Sequence, residues 1–339
     1  MSCTASAAIA VASVVAYGAG SASAATRASS KDVRIVLGGG TDFTDASVYQ
    51  AINALKSKGF RVTLSVLADP SSALEAVVSG KADIYLGDPI EAATAVANGG
   101  AKIKYIGSVQ QATDYELLSL KQFNLKNLSG ATLASAGPGT AGTIIADAAL
   151  AKVGVNVNSL HAVTVGGTSA RVTAILAGEV DLAPVLAPAA VAAVATGKVN
   201  ILLNAGKLLG RYIQEGLIAS DGFVKNDAAT VQQVVNAFVD SQRSAAKNES
   251  AFIRVANVNQ LKGSLSGAEE KSSWQQLKNG AFFAVNGAIC PADITLTEHY
   301  TYVAGGTLTK KNTPSYRAWV DPSFVKKYLQ QHHDSLHAC

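Results

Sequence analysis

The residues best suited to chemistry in this 339-residue chain are two carboxylates and two glycine-rich turns. Asp42 follows Gly38-Gly-Gly40-Thr41, and Asp88 stands between Gly87 and Pro89. Carboxylates at such turns can accept hydrogen bonds from an amine or from ring N–H groups of a ligand. The same residues can instead cap a helix, since Asp is a favoured N-cap and Pro a favoured first helical residue. Both readings stay open. The turn Gly137-Pro-Gly-Thr140-Ala-Gly142 fails as a phosphate loop, because no Lys-Ser/Thr follows its last glycine. It also fails as a dinucleotide fingerprint, because Pro138 interrupts it and no acidic residue ends the next strand. It reads as a tight turn exposing N–H groups at a helix start, where an anion or a carbonyl oxygen is favoured. Gly166-Gly-Thr168-Ser169 reads alike, with simple capping by Thr168 or Ser169 as the alternative.

Catalytic constellations are sparse. The histidines are His161, His299, His332, His333 and His337, and none falls in an expected ligand loop. There is no G-x-S-x-G elbow and no H-E-x-x-H helix motif. The tail His332-His-Asp334-Ser-Leu-His337-Ala-Cys339 has metal-ligand types, but a terminal tail makes a poor selective site. No metal and no cofactor is expected. The 48% hydrophobic content and small charge of +4 exclude a disordered chain. No basic run carries interleaved aromatics, so nucleic acid is not an expected partner. Three cysteines are too few for a disulfide scaffold.

The elements that must position these residues come from an internal repeat. Ala76–Leu86 (AVVSGKADIYL) matches Ala174–Pro184 (AILAGEVDLAP), with Gly80 on Gly178 and Asp83 on Asp181. The same offset puts Val33–Leu37 on Ala131–Ser135 and Gly99 on Gly197. Each unit alternates short apolar strands with helices, which implies βαβ units and parallel sheets. The first has strands at Val33–Leu37, Arg61–Leu67, Asp83–Leu86 and Ile103–Val109, and helices at Ala46–Lys58, Ser71–Ser79 and Pro89–Ala97. After the second unit, Glu215–Ser220 reads as a return strand. A long amphipathic helix follows over Asp227–Ala246, then helical stretches near Glu249–Leu261 and Gly267–Asn279, then a less regular tail. In open parallel sheets, ligands bind beyond the strand carboxyl ends. That rule selects the loops Gly38–Asp42, Ala68–Pro70, Gly87–Pro89 and Ser108–Gln110, with Ala136–Thr140, Gly166–Ser169 and Pro184–Pro188 in the second unit. Asp83, Asp181 and His161 begin their strands at the far end and read as structural.

Residues 1–25 read as an export signal. An apolar run, Ala7–Tyr17, precedes small residues with Ala22 and Ala24 at the key positions, so cleavage is expected near Ala24/Ala25. The run is too short to span a bilayer, and the usual positive start is missing. Export would leave Cys290 and Cys339, which an oxidising compartment would allow to pair; two unrelated thiols is the alternative.

Four stretches resemble the periplasmic solute-binding proteins of ABC importers, in the nitrate, sulfonate, taurine and thiamine-precursor group. They are SGKADIYLGDP within Leu74–Pro89, LKNLSGATLASAG over Leu125–Gly137, VGGTSARVTAILAGEVDLAPVLAP over Val165–Pro188, and VDPSFVKKYL over Val320–Leu329. The resemblance implies a type II two-lobed α/β fold: two Rossmann-like parallel or mixed sheets joined by two crossovers, near Tyr115–Leu120 and Glu215–Ser220. It divides the chain into lobe I, residues 31–118 plus 216–339, and an inserted lobe II, residues 119–215. By position it implies ligand contacts from Gly40, Thr41, Asp42, Gly87, Asp88, Gln110, Gly137, Thr140 and Thr168. The family often has a small residue where Asp88 stands, and the glycine run 38–40 is unusual for it. The expected role is a non-enzymatic, periplasmic, monomeric binder that passes a small polar ligand to a membrane permease. The alternatives are an enzyme like the thiamine-pyrimidine synthases, whose cysteine-rich iron motif this chain lacks, and a ligand-sensing module, which an export signal disfavours.

Overall fold

The computed structural model describes residues 31–67, 70–135, 137, 140–303 and 308–334. The expected leader at residues 1–25 lies outside the described residues, as do Ala68, Ala136, His337 and Cys339. Cys290 is half of a disulfide.

The first run of elements is β1 (Asp32–Gly38), α1 (Ala46–Ser57), β2 (Arg61–Leu67), α2 (Pro70–Val78), β3 (Ile84–Gly87), α3 (Pro89–Gly99) and β4 (Ile103–Gln110). The second is β5 (Tyr115–Leu120), β6 (Thr132–Ser135), α4 (Ala141–Lys152), β7 (His161–Thr164), α5 (Thr168–Ala177), β8 (Leu182–Leu186), α6 (Ala187–Ala195), β9 (Val199–Asn204) and the short α7 (Ala205–Leu209). The chain then returns through β10 (Glu215–Ser220) and ends in helices. These are α8 (Asp221–Asn226), α9 (Ala228–Lys247), α10 (Glu249–Val258), α11 (Gly267–Asn279), α12 (Pro291–Val303), α13 (Tyr316–Trp319) and α14 (Ser323–Gln331).

Two five-stranded sheets result, ordered β2-β1-β3-β10-β4 and β7-β6-β8-β5-β9. Each is parallel except for one antiparallel strand, β10 in the first and β5 in the second. That exception has a topological cause. β5 follows β4 but joins the second sheet, and β10 follows the second sheet but joins the first. Each lobe therefore receives its antiparallel strand from a crossover. The expected crossovers are themselves strands, inserted between two neighbours rather than lying outside the sheets.

Packing explains the helices. β3 is buried on both faces, as a central strand covered by helices on each side must be. The first core runs from Val33, Ile35 and Leu55 through Tyr105 to Val234, Phe238 and Trp319, so α9 closes one face of the first sheet. The chain beyond Gly280, expected to be less regular, forms three helices among its described residues. The last, α14, buries Phe324, Val325, Tyr328 and Leu329 on one stripe and leaves Lys326 and Lys327 exposed. A third cluster joins Phe43 to Phe252, Phe282 and Phe283, with Phe43 and Phe252 edge-to-face at 5.2 Å. It fixes the loop after β1 against α10 and α11.

Candidate functional site

The carboxyl ends of both sheets open on one cleft of about 1990 Å³. Its walls hold Gly40, Thr41, Asp42, Gly87, Asp88 and Gln110 from the first lobe and Thr140 and Thr168 from the second. Gly137, also expected at the ligand, is buried behind the wall, where its carbonyl accepts from the Thr140 and Thr143 hydroxyls. A smaller cavity of about 330 Å³ lies apart, between α11 and the start of β5.

Backbone chemistry shapes the first-lobe wall. Gly39 and Gly40 have φ of 91° and 102°, a region that side chains disfavour, which accounts for the glycine run before Asp42. Asp42 then caps the 3-10 turn Phe43–Asp45. Its Oδ1 accepts from the Thr44 amide and hydroxyl, and Asp45 Oδ2 accepts from the Asp42 amide at 2.8 Å. Asp88 caps α3, accepting from Ile90 N at 2.7 Å, and its second oxygen accepts from the Tyr212 hydroxyl at 3.3 Å. Both carboxylates thus act as caps and also line the cleft.

The second-lobe wall is built differently. α4 and α5 begin at Thr140 and Gly167, and neither N-cap makes a side-chain cap bond. First-turn N–H groups have no intrahelical partner, so these two helix starts offer donors to the cleft. Beneath α5, Arg171 is 1% exposed, and its guanidinium donates to the carbonyls of Pro184 and Gly166. It props the Gly166–Thr168 turn from behind.

Several residues of the site come from elements that the sequence presents as connectors. Asp114 precedes β5 and lines the smaller cavity, reaching the cleft wall through Gln214; its oxygens accept from Gln214 Nε2 at 3.1 Å and Ala187 N at 3.3 Å. Gln214 also donates to Gln110 Oε1 at 2.9 Å. Glu215 opens β10 and lines the cleft, yet its Oε1 is shut off from solvent without a hydrogen-bond partner. Asp114, Gln214 and Glu215 meet only because both crossover strands pass through the site. Arg171 lies within the Val165–Pro188 stretch and Glu215 heads the return strand, but neither position by itself marks a site residue.

Electrostatics separates the walls. Burial first, and then Asp42 and Asp114, pushes the Glu215 carboxyl up to about 8. Burial and then Asp42 raises Asp114 to about 7. Burial also raises Asp42, and Asp45 rises well above the carboxylate range through burial and then the charges of Asp42, Glu215 and Asp114. Burial, with Glu91 next, does the same to Asp88. The lining residues of the second lobe include no Asp or Glu.

Among the described residues, no group of three or more His, Cys, Asp or Glu is arranged to hold a metal, and no helix is long and apolar enough to cross a membrane. Of the tail histidines, His332 stacks on Tyr328 with ring centroids 4.0 Å apart.

The NMT1/THI5-like family matches residues 54–251. No curated protein matches the chain. Among solved structures, the chain is similar to a putative sulfonate ABC transporter periplasmic sulfonate-binding protein, SsuA from Methylobacillus flagellatus. The two are 18% identical, with 91% of this chain and 97% of that one covered and a TM-score of 0.65. It is similar to the periplasmic nitrate-binding protein NrtA from Synechocystis, 9% identical, with 89% of each chain covered and a TM-score of 0.70. The desulfurization enzyme DSZB also shares the fold, 14% identical, with 89% of this chain and 99% of that one covered and a TM-score of 0.63. The fold is that of the type II periplasmic binding proteins.

Proposed function

The chain belongs to the NMT1/THI5-like family, and from that premise we propose that it is an extracytoplasmic solute-binding protein. It captures a small polar ligand, of sulfonate, nitrate, amine or pyrimidine type, between its lobes and delivers it to an ABC permease. The observation that carries this reading is the cleft itself. Polar groups of both sheets converge on it across two crossovers. At about 1990 Å³ it exceeds the roughly 300–1,000 Å³ of most small-molecule sites, so a small ligand is enclosed only when the lobes close. The division into residues 31–118 plus 216–339 and residues 119–215 belongs to the proposal, with β5 entering the second sheet from Tyr115. So do the export signal, the periplasmic location, the monomeric state and the nine contact residues. Eight of those nine line the cleft.

A ligand that binds only the folded, closed state raises Tm by mass action. Thermal denaturation against a broad panel of sulfonates, nitrate, amines and pyrimidines is expected to give a concentration-dependent rise for at least one class. No rise with any member overturns the reading.

The DSZB fold supports a second reading, an enzyme. The described lining of the cleft holds no Cys, which disfavours thiol chemistry there, whereas its raised carboxyls leave acid–base chemistry open to test. Recovering the stabilising ligand chemically unchanged after long incubation distinguishes the two.

A further inference from the structure

The sulfonate- and nitrate-binding neighbours are named for anions. The first-lobe wall here is built against an anion. Among the carboxylates that line it, Asp42 after β1, Asp45 in the following turn and Glu215 at the start of β10 act on one another, and Asp114 before β5, which lines the smaller cavity, adds its charge to theirs. Among the described residues, none of the four makes an ion pair with Lys, Arg or His. Their hydrogen bonds, to backbone amides, Thr44 and Gln214, hold them in place without neutralising them.

An independent observation points to what is missing. Glu215 Oε1 is sealed from solvent and has no hydrogen-bond partner. A buried polar atom without a partner needs an explanation, and an uncompensated buried charge is costly. The cations nearby do not supply the answer. Arg171 belongs to the opposite wall and is spent on carbonyls. Lys262 pairs with Glu270 at 3.7 Å, and Lys102 is exposed.

We infer, resting on the solute-binding reading above, that the ligand carries a protonated nitrogen seated against Asp42 and Glu215, and that plain anions are rejected. A cation held there as the lobes close supplies the opposite charge that Glu215 lacks and relieves the repulsion of the converging carboxylates. The anion-friendly helix starts of α4 and α5 then face the ligand's other, acceptor-bearing end.

The test is thermal denaturation and calorimetric titration of the full chain at pH 8, with protonated amines that carry an acceptor at the other end (ethanolamine, 4-aminobutanol and β-alanine) set against nitrate and butanesulfonate. Amines are expected to raise Tm and the anions not. E215Q and D42N are expected to weaken amine binding at least tenfold. Ligand-free E215Q is expected to melt no lower than wild type, because it loses repulsion; a merely structural carboxylate would show the reverse. Glu215 is faced by Asp42, Asp45, Asp114, Tyr85 and Tyr105. The carboxyls are raised by burial and then by one another, and the phenols stay protonated, so amine binding near pH 7 is expected to release protons from the carboxyls, read as a heat that changes with buffer ionisation enthalpy. Stabilisation by nitrate or butanesulfonate and by no amine overturns the charge assignment while the solute-binding reading stands. Amine affinity unchanged in both E215Q and D42N overturns the seat. Stabilisation by neither class counts against solute binding itself, and the inference falls with it.

Discussion

Asp83 and Asp181 make the same pair of bonds in the two lobes. Asp83 Oδ2 accepts from the Arg34 backbone amide and Asp181 Oδ2 from that of Thr132, both at 2.8 Å. In return, each aspartate amide donates to the carbonyl of the same partner, both at 2.9 Å. The residues of each lobe stand 98 positions from their equivalents, Asp181 against Asp83 and Thr132 against Arg34. The bonds clamp the central strand of each sheet to its neighbour at the end away from the cleft. Charge-assisted hydrogen bonds of this kind contribute about 1.5–3 kcal/mol. Asp181→Ala is therefore expected to lower stability by about that amount in urea denaturation, with ligand affinity unchanged. Asp83→Ala is expected to cost more, since Asp83 also holds the Arg34 guanidinium at 2.8 Å.

Gly216 lies beside Glu215 in the returning strand, and a Cβ there would run into the Tyr105 hydroxyl and the Gly107 carbonyl. Tyr105 cannot retreat easily, because it is fully buried and bonded to Ser108 at 2.7 Å. Gly216→Ala is expected to destabilise by roughly 1–3 kcal/mol, the usual cost of overpacking, and to weaken ligand binding by displacing Glu215. Retained stability in thermal denaturation would show that β10 shifts freely.

Asp88 offers a contrast between cap and ligand group. Both its oxygens are engaged inside the protein, by Ile90 N and the Tyr212 hydroxyl. Asp88→Ala is expected to cost about 1 kcal/mol as a lost N-cap, with a smaller loss of ligand affinity than E215Q gives. A larger affinity loss for Asp88→Ala would assign Asp88 a direct contact.

The raised carboxylates set the pH dependence of the ligand-free protein. Glu215 is pushed to about 8, Asp114 and Glu298 to about 7 and Asp147 to about 6, by burial in every case. Unfolded carboxylates titrate near 4, so between about pH 4.5 and 8 the native state binds more protons. Stability is then greatest on the acid side of that window and falls as pH rises through it. Tm measured from about pH 5.5 to 8.5 is expected to decline, and E215Q to flatten the upper part of the decline. A Tm that climbs over this range would contradict the buried, unpaired character of the cluster.

The repeated units were readable from the sequence because their signals are local. Gly80, Gly178 and Gly197 follow helices at positive φ, and Pro89 stands in the first turn of α3. β2 alternates burial over Arg61–Ser65, and α11 spans the expected Gly267–Asn279. The site was readable only where a loop follows its own strand, as Gly40–Asp42 follows β1 and Gly87–Asp88 follows β3. Asp114 and Glu215 escaped because their place depends on non-local pairing. β10 is antiparallel between β3 and β4, more than a hundred residues from either in sequence, and nothing within Glu215–Ser220 specifies those neighbours. Arg171 escaped for another reason. Helical spacing gives its position on α5, but its burial depends on the Pro184 and Gly166 carbonyls that receive it.

The central claim is that the cleft between the sheets holds the ligand, with its charged nitrogen on the first lobe. A crystal structure of the protein bound to whichever amine raises Tm most tests this directly. The expected result is ligand density between the lobes, a nitrogen within hydrogen-bond distance of Asp42 or Glu215, and contact with the α4 or α5 start across a narrowed cleft. Ligand density elsewhere, with the cleft open and Glu215 Oε1 still without a partner, would contradict it.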